Sequence, residues 1–429
     1  MKLFTYIGIL CAVISFGSTL EETIALSEKN PSVKAAVQQA KVYKKLHSAV
    51  QAGNYPSLDV SYGATYLNED PVTYFGGTSL QVRAKNNYTG TVKLTYPLFT
   101  GFAISSQIDK SKFRMNRALL EADDAKRNLY IGVVQAYTAA LGLKHLRVSE
   151  QEAYEATQKS YDKVKAFFDL GMSSSAELYR IEASLNAIKA RQIQTKNAYK
   201  IALSQLSLMA NEKVVDVESL PNIEKLSLES LTQQALQNRP DLQALEVMVK
   251  EQQSQVDLAK STNYPTVALF AQASQVGDSP ELDGDGHTNK DRSAAGFMIN
   301  YNLFSGFKTQ SQIEAAREGK LSAELTLQAY TDKVKTEIYE SYLTYESLLG
   351  ALEAAKAQVK ARESYEKLVQ EQFDNQLADA DTLSRAISSS AMSRASLISI
   401  DAKLYAAYAK ALLQVDNNTF LNIIKNSRD

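Results

Sequence analysis

The amino-acid sequence predicts a mainly α protein with a smaller β portion. It is internally duplicated, and each half supplies two strands and one long antiparallel helical hairpin. Three observations carry this reading. Tyr96-Pro97-Leu98-Phe99-Thr100-Gly101-Phe102 recurs as Tyr301-Asn302-Leu303-Phe304-Ser305-Gly306-Phe307. Each copy ends an alternating, strand-like run and turns at Ser/Thr-Gly, where the backbone must change direction sharply. Each copy then opens a long run without proline, and a helix of that length would reach about 100 Å at 1.5 Å per residue.

The flanks repeat at a nearly constant offset. Asn30-Pro31 matches Arg239-Pro240, and Tyr55-Pro56 matches Tyr264-Pro265. Ser160-Tyr161-Asp162-Lys163 matches Ser364-Tyr365-Glu366-Lys367, Phe168-Asp169 matches Phe373-Asp374, and Leu178 with Arg180 matches Leu383 with Arg385. Self-similarity of this kind marks a duplication rather than a chance motif.

Residues 1–19 form a leader pattern. Lys2 precedes an apolar stretch from Leu3 to Phe16, and small residues around Ser15-Phe16-Gly17-Ser18 predict a cut after Gly17 to Thr19. Cys11 lies inside the apolar stretch instead of closing it, which argues against lipid attachment; the rest of the chain has no cysteine.

The first repeat is expected over 20–211. Glu21 to about Gly53 reads as helix, with Asn30 as a candidate N-cap and Pro31 at a first helical position. A strand over 57–67 alternates Leu58, Val60, Tyr62, Ala64 and Tyr66 against Asp59, Ser61, Gly63 and Thr65. A loop to about Ser79 leads to a second strand over 80–99, where Tyr88, Gly90, Val92, Leu94, Tyr96 and Leu98 face one way and Thr89, Thr91, Lys93 and Thr95 the other. That run meets the roughly 9–11 residues a tilted strand needs to cross a bilayer; it would also suit a half-buried strand of a soluble sandwich. The hairpin spans 103–210, turning at Asp169-Leu170-Gly171-Met172-Ser173-Ser174-Ser175. Helices past about 25 residues point to coiled-coil-like assemblies instead of ordinary globular domains.

A linker is expected over 212–227. The second repeat, 228–415, carries further helices, strands over 265–276 and 292–304, and a hairpin over 307–414. The tail, 416–429, shows no regular pattern.

The chain has 429 residues and a net charge of −1, which excludes the basic footprint of a nucleic-acid binder. No run past residue 20 is long and apolar enough for a membrane helix, so a membrane span would have to be made of strands. Four strands cannot close a barrel, and open edges are not tolerated in lipid, so several chains would share one. His47, His145 and His287 have no ligand spacing. Asp283-Gly284-Asp285-Gly286-His287 lacks the spacing, terminal Glu and flanking helices of a calcium loop and reads as an exposed turn. No catalytic, nucleotide, metal or cofactor motif stands out, and no enzyme is expected.

The doubled strand-to-helix motif and whole-chain duplication resemble the TolC-like outer-membrane efflux proteins of Gram-negative bacteria. The resemblance implies a homotrimer whose hairpins extend into the periplasm and whose strands share one barrel in outer-membrane lipid. It implies an exit duct of a tripartite efflux or type I secretion system, working with a periplasmic adaptor protein and an inner-membrane transporter. Junction residues Tyr96, Phe99, Gly101, Tyr301, Phe304 and Gly306 would then sit at the periplasmic rim, their aromatics in the interfacial girdle; alternatively Phe99 and Phe304 simply pack between strand and helix. The tips Gly171, Met172 and Ser173, and Asn375 and Gln376, would meet the adaptor, Asn375 standing near where the family has Gly. Asp379 and Asp381 would ring the periplasmic aperture; capping of a helix start would also explain them. Two rivals are a periplasmic adaptor, which would need one hairpin flanked by small β domains, and a soluble coiled-coil scaffold, which would need neither strands nor leader.

Overall fold

The computed structural model describes residues 17–375 and 377–426. Gln376, Cys11 and most of the expected leader lie outside these residues. In chain order the elements are α1 (Leu20–Ser27), α2 (Pro31–Gln51), β1 (Ser57–Tyr66), β2 (Val72–Phe75), β3 (Thr78–Gln81), β4 (Asn86–Phe99), α3 (Ala103–Asp169), α4 (Ser175–Ala210), α5 (Leu228–Asn238), α6 (Pro240–Lys260), β5 (Thr266–Gly277), β6 (Asp291–Asn300), α7 (Lys308–Asp374), α8 (Ala380–Leu413) and α9 (Asn417–Asn426). Among the described residues no helix is long and apolar enough to cross a membrane.

The residues divide into two compact units: 17–38, 120–243 and 329–426 in one, 39–119 and 244–328 in the other. The second unit contains a four-stranded antiparallel sheet in the order β1-β4-β5-β6. Among the described residues the edge strands β1 and β6 each have one partner. The strand-to-helix junctions adopt the same unusual backbone twice: Gly101 and Phe102 have φ of +62° and +69°, Gly306 and Phe307 +63° and +64°. Thr100 Oγ1 and Ser305 Oγ then accept from the N–H groups of Ile104 and Thr309, both at 3.3 Å, and start α3 and α7. Helical segments of this unit are joined by His47–Ser111 (2.8 Å), Lys110–Gln255 (2.6 Å) and the Arg117–Glu251 ion pair (3.4 Å).

The first unit is helical and has two apolar clusters. One gathers Tyr130, Val133, Val134, Tyr137, Leu206 and Tyr408 with Val217 of the linker and Phe420 of α9. The other joins Ile181 and Ile188 of α4 to Val369 and Phe373 of α7 and Leu383 and Ile387 of α8.

Several expected boundaries are corrected. The helix expected from Glu21 to Gly53 is two helices, because Pro31 has no N–H to continue α1 and disfavours helical backbone before it. Asn30 accepts from Ser32 N–H at 3.0 Å and so opens α2. The strand expected over 80–99 begins at Asn86. Thr78–Gln81 instead pairs with Val72–Phe75, inside the expected loop, as a separate hairpin turned by Gly76 and Gly77 at φ +60° and +88°. The strand expected over 292–304 stops at Asn300, whose partner Thr266 is the first residue of β5, so no ladder remains for Tyr301 to Phe304. The tail forms α9, with Asp416 accepting from Thr419 N–H at 2.6 Å.

Candidate functional site

At the helical tips, α3 ends on a Schellman turn: Met172 N–H reaches Phe167 C=O at 2.8 Å and Gly171 N–H reaches Phe168 C=O at 2.9 Å, with Gly171 at φ +73°. The second tip repeats the wider bond, Leu377 N–H to Gln372 C=O at 2.8 Å. That bond aligns Met172 of the first tip with Leu377 of the second. Asn375 still follows the helical pattern, its N–H and its side-chain amide meeting Glu371 C=O at 3.2 and 2.8 Å.

Ser174 caps α4, accepting from Glu177 N–H at 3.2 Å. Ser173 donates to Glu177 Oε2 at 2.8 Å, and Glu177 Oε1 accepts from Ala380 N–H at 3.1 Å, so one carboxylate spans both tips. Asp379 caps α8, accepting from Thr382 N–H at 2.8 Å; hydrogen bonds from Thr382 hold its carboxyl below the ordinary carboxylate value. Asp381 pairs with Arg385 at 2.6 Å. Lys163 of α3 pairs with Asp374 of α7 at 2.8 Å, which lowers the Asp374 carboxyl, and lies over the rings of Phe167 and Phe373. Leu170, Met172 and Leu377 are exposed apolar side chains around these turns. Sequence reasoning missed the bridging role of Glu177 and the Lys163–Asp374 pair; Lys163 stands in a repeated tetrapeptide, but spacing alone does not show which helix it faces.

In the sheet, register places the apolar positions on one face. Leu58 opposes Leu94, which opposes Ala271, which opposes Ala295; Val60 opposes Val92, which opposes Ala273; Tyr96 opposes Leu269, which opposes Phe297. Leu58, Val60, Tyr62, Val92, Leu94, Leu269, Phe297 and Ile299 are between 41% and 76% exposed. A stable water-facing sheet would bury such a face. The other face carries the Asp59–Lys93–Gln272 and Ser61–Thr91–Ser274–Arg292 rows. Phe99, Phe102 and Tyr264 stack edge to face at the first junction, with centroids 5.3 and 5.5 Å apart. At the second, Phe304 stacks on Phe307 at 5.5 Å and both stay exposed, as does Tyr301.

The Asp283–His287 turn is organised by Asp285. Its Oδ1 accepts from His287 N–H, Thr288 N–H and Thr288 Oγ1. Leu282 of the same loop packs over Gly90 and Gly277, and Tyr62 donates to Pro280 C=O at 3.1 Å.

The helical unit also buries a charged network. Arg127 of α3 and Arg239, before α6, are 4% and 3% exposed. Asp241 accepts from Arg127 at 2.9 Å, Arg239 at 2.9 Å and Tyr330 at 2.7 Å; Glu337 of α7 and Gln414 after α8 accept from Arg239 at 2.6 and 2.7 Å. Burial alone would raise the Asp241 carboxyl, but Arg239, Arg127 and Tyr330 outweigh it and hold it low. Two desolvated guanidinium groups need this complete set of acceptors, so the network fixes four helices against one another. Arg239-Pro240 had stood out only as part of the repeat.

The chain thus has a duplicated architecture: two long helical hairpins, whose first helices α3 and α7 each begin in the unit that holds the sheet, and a four-stranded sheet with an exposed apolar face. The family model described as outer membrane efflux protein matches residues 25–212 and 231–415, and the chain belongs to that family. Membership places it in the outer membrane. It is 22% identical over 280 residues to the outer membrane efflux protein BepC of Brucella suis, covering 64% of this chain and 59% of BepC. It is 24% identical over 260 residues to the fusaric acid resistance protein FusA of Burkholderia cepacia, covering 57% and 48%. The chain thus spans about half of the curated relatives it matches. The Campylobacter jejuni CmeC outer membrane channel shares its fold, with a TM-score of 0.78 at 15% identity over 95% of this chain and 89% of that one.

Proposed function

We propose that the protein is the outer-membrane exit duct of a tripartite efflux or type I secretion assembly, working as a homotrimer. One observation carries the reading: among the described residues the edge strands β1 and β6 each pair on one side only, and the sheet has a contiguous exposed apolar face. Lipid accepts the apolar face but not the open edges, so β1 of one copy must meet β6 of the next until the barrel closes. The side chains of the opposite face, with Lys93, Thr91 and Gln272, would line the lumen.

The hairpin tips would meet a periplasmic adaptor at Gly171, Met172, Ser173, Asn375 and Gln376. Exposed Leu170, Met172 and Leu377 support a docking role there. Asp379 and Asp381 would ring the periplasmic aperture. The duct performs no reaction and takes no cofactor; an inner-membrane transporter supplies the energy. The name of the FusA relative supports export of small toxic molecules. Native mass spectrometry of the detergent-extracted protein tests the assembly, with a three-chain species expected. A folded, stable monomer in detergent would remove the shared barrel.

A further inference from the structure

We propose that a groove along α3, α7 and α8 is a binding track for amphiphilic organic anions, with Lys403 as the residue that holds the anionic group; this rests on the duct reading above. Helical spacing defines the groove. On α3, Gln135, Ala139, Gly142 and Leu146 recur at intervals of three or four and share one face. Val133, Val134, Tyr137, Ala140 and Leu141 occupy the opposite face and enter the apolar core with α1, α5, α9 and the linker. The helix α8 divides in the same way. Ala395, Ile398, Ala402 and Ala406 face the groove, and Leu404, Tyr405, Tyr408 and Leu412 face the core. In a hollow duct the covered side of these helices is the outer one, so the groove turns to the lumen.

Two cavities follow one another along this groove. The first, of about 330 Å³, lies between α3 and α8 against Leu143, Leu146 and Ile398. Gly142 lets the helices approach there: a Cβ on it would stand 3.4 Å from Ala402 Cβ. The second, of about 620 Å³, continues between α7 and α8 against Leu343 and Leu348. Gln135, Lys403 and Ala406 border both. Small-molecule sites have this range of size and pair apolar walls with a few polar groups that fix orientation. Among the described residues, Lys403 and Lys410 are the only charged side chains on these walls, and both are cations. Lys410 also borders the neighbouring cavity that holds Glu337 and Glu340. Lys403 shares neither wall with a carboxylate, and it is exposed. Its apolar stem can lie along the wall while the ammonium meets a carboxylate or sulfonate on a ligand whose apolar body fills the cavity. A cationic cargo finds no charged partner in either cavity.

The protein extracted from outer membranes would be reconstituted in planar bilayers. Naphthoate, naphthylmethylammonium and acetate would be added in turn on the extracellular side, away from the Asp381 aperture. Naphthoate should reduce the current at a lower concentration than either of the other two. Lys403→Gln should raise its half-blocking concentration about fivefold, the scale of one exposed charge interaction, and Lys403→Arg should keep it. Equal block by the naphthyl cation, or unchanged block in Lys403→Gln, overturns the proposal and leaves the duct intact. Absence of any conductance overturns the duct reading and the proposal with it. The chain's single cysteine, Cys11, falls in the expected leader, so Lys403→Cys adds one thiol to the rest of the chain. A charged methanethiosulfonate should modify that thiol in the conducting channel and change the current. A thiol that stays unmodified in the assembled protein would show that another copy of the chain covers the groove, which also overturns the proposal.

Discussion

Gly101 and Gly306 hold the same place in the repeat and the same left-handed backbone, with φ of +62° and +63°, but their surroundings differ. A Cβ on Gly101 would stand 2.6 Å from Ser261 O and 2.8 Å from Tyr264 Cβ, whereas a Cβ on Gly306 meets nothing within 4 Å. Alanine should cost about 1 kcal/mol at either site for the positive φ. At Gly101 it adds overpacking of about 1–3 kcal/mol, because the obstacle is backbone and cannot swing away. Denaturant unfolding of the two variants checks this: Gly101→Ala should lower the midpoint clearly more than Gly306→Ala, and equal losses would mean the backbone alone demands glycine. The need for a turn at both places was legible in the Ser/Thr-Gly pairs. The unequal crowding was not, since it comes from the turn before β5, far away in sequence. The second tip shows the same limit: Asn375 drew attention as standing near the family's glycine, but its N–H and side-chain amide both stay on Glu371 C=O, in the helical pattern.

The strands were legible because alternation has a strict period of two, and register carries that pattern across all four of them. What misled was the glycine pair at Gly76-Gly77, which reads as loop composition but serves as the tight turn of the β2–β3 hairpin. The C-terminal α9 was missed because ten residues are too short for periodicity to stand out. Facing is the testable property of β4. Val92 and Thr91 are adjacent but point to opposite faces, Val92 between Val60 and Ala273, Thr91 between Ser61 and Ser274. If the apolar face meets lipid, Val92→Arg places a cation near the bilayer midplane at a cost of about 2–4 kcal/mol. Outer-membrane assembly measured by extraction and native gel should drop for Val92→Arg, while Thr91→Arg should assemble and change single-channel conductance. Similar behaviour of the two variants would show that the faces are wrongly assigned.

Across the whole molecule the duplication was readable, but the halves are not equivalent in chemistry. The first tip has Gly171 and Glu177; the second has Gln376 and the Asp379–Asp381 pair. In a trimer around one axis, three copies of Asp381 would stand close together at the aperture, and like charges that approach repel unless something compensates them. In this chain Arg385, one turn further along α8, pairs with Asp381 at 2.6 Å and is the more exposed of the two. An exposed pair of this kind contributes little to stability, so removing either partner should leave folding nearly intact and act on the pore. Arg385→Gln should free the carboxylates, strengthen cation selectivity and deepen block by a trivalent cation added on the periplasmic side. Asp381→Asn should do the opposite, and Asp379→Asn, whose carboxylate is engaged by the α8 N-terminus, should change selectivity less. Planar-bilayer recording of the three variants separates a gate from a cap. If Asp381 merely favours the helix start, Asn, itself a good residue near helix N-termini, leaves block and selectivity unchanged, and Arg385→Gln has no effect either. Opposite shifts in Asp381→Asn and Arg385→Gln require the two side chains to lie along the conduction path.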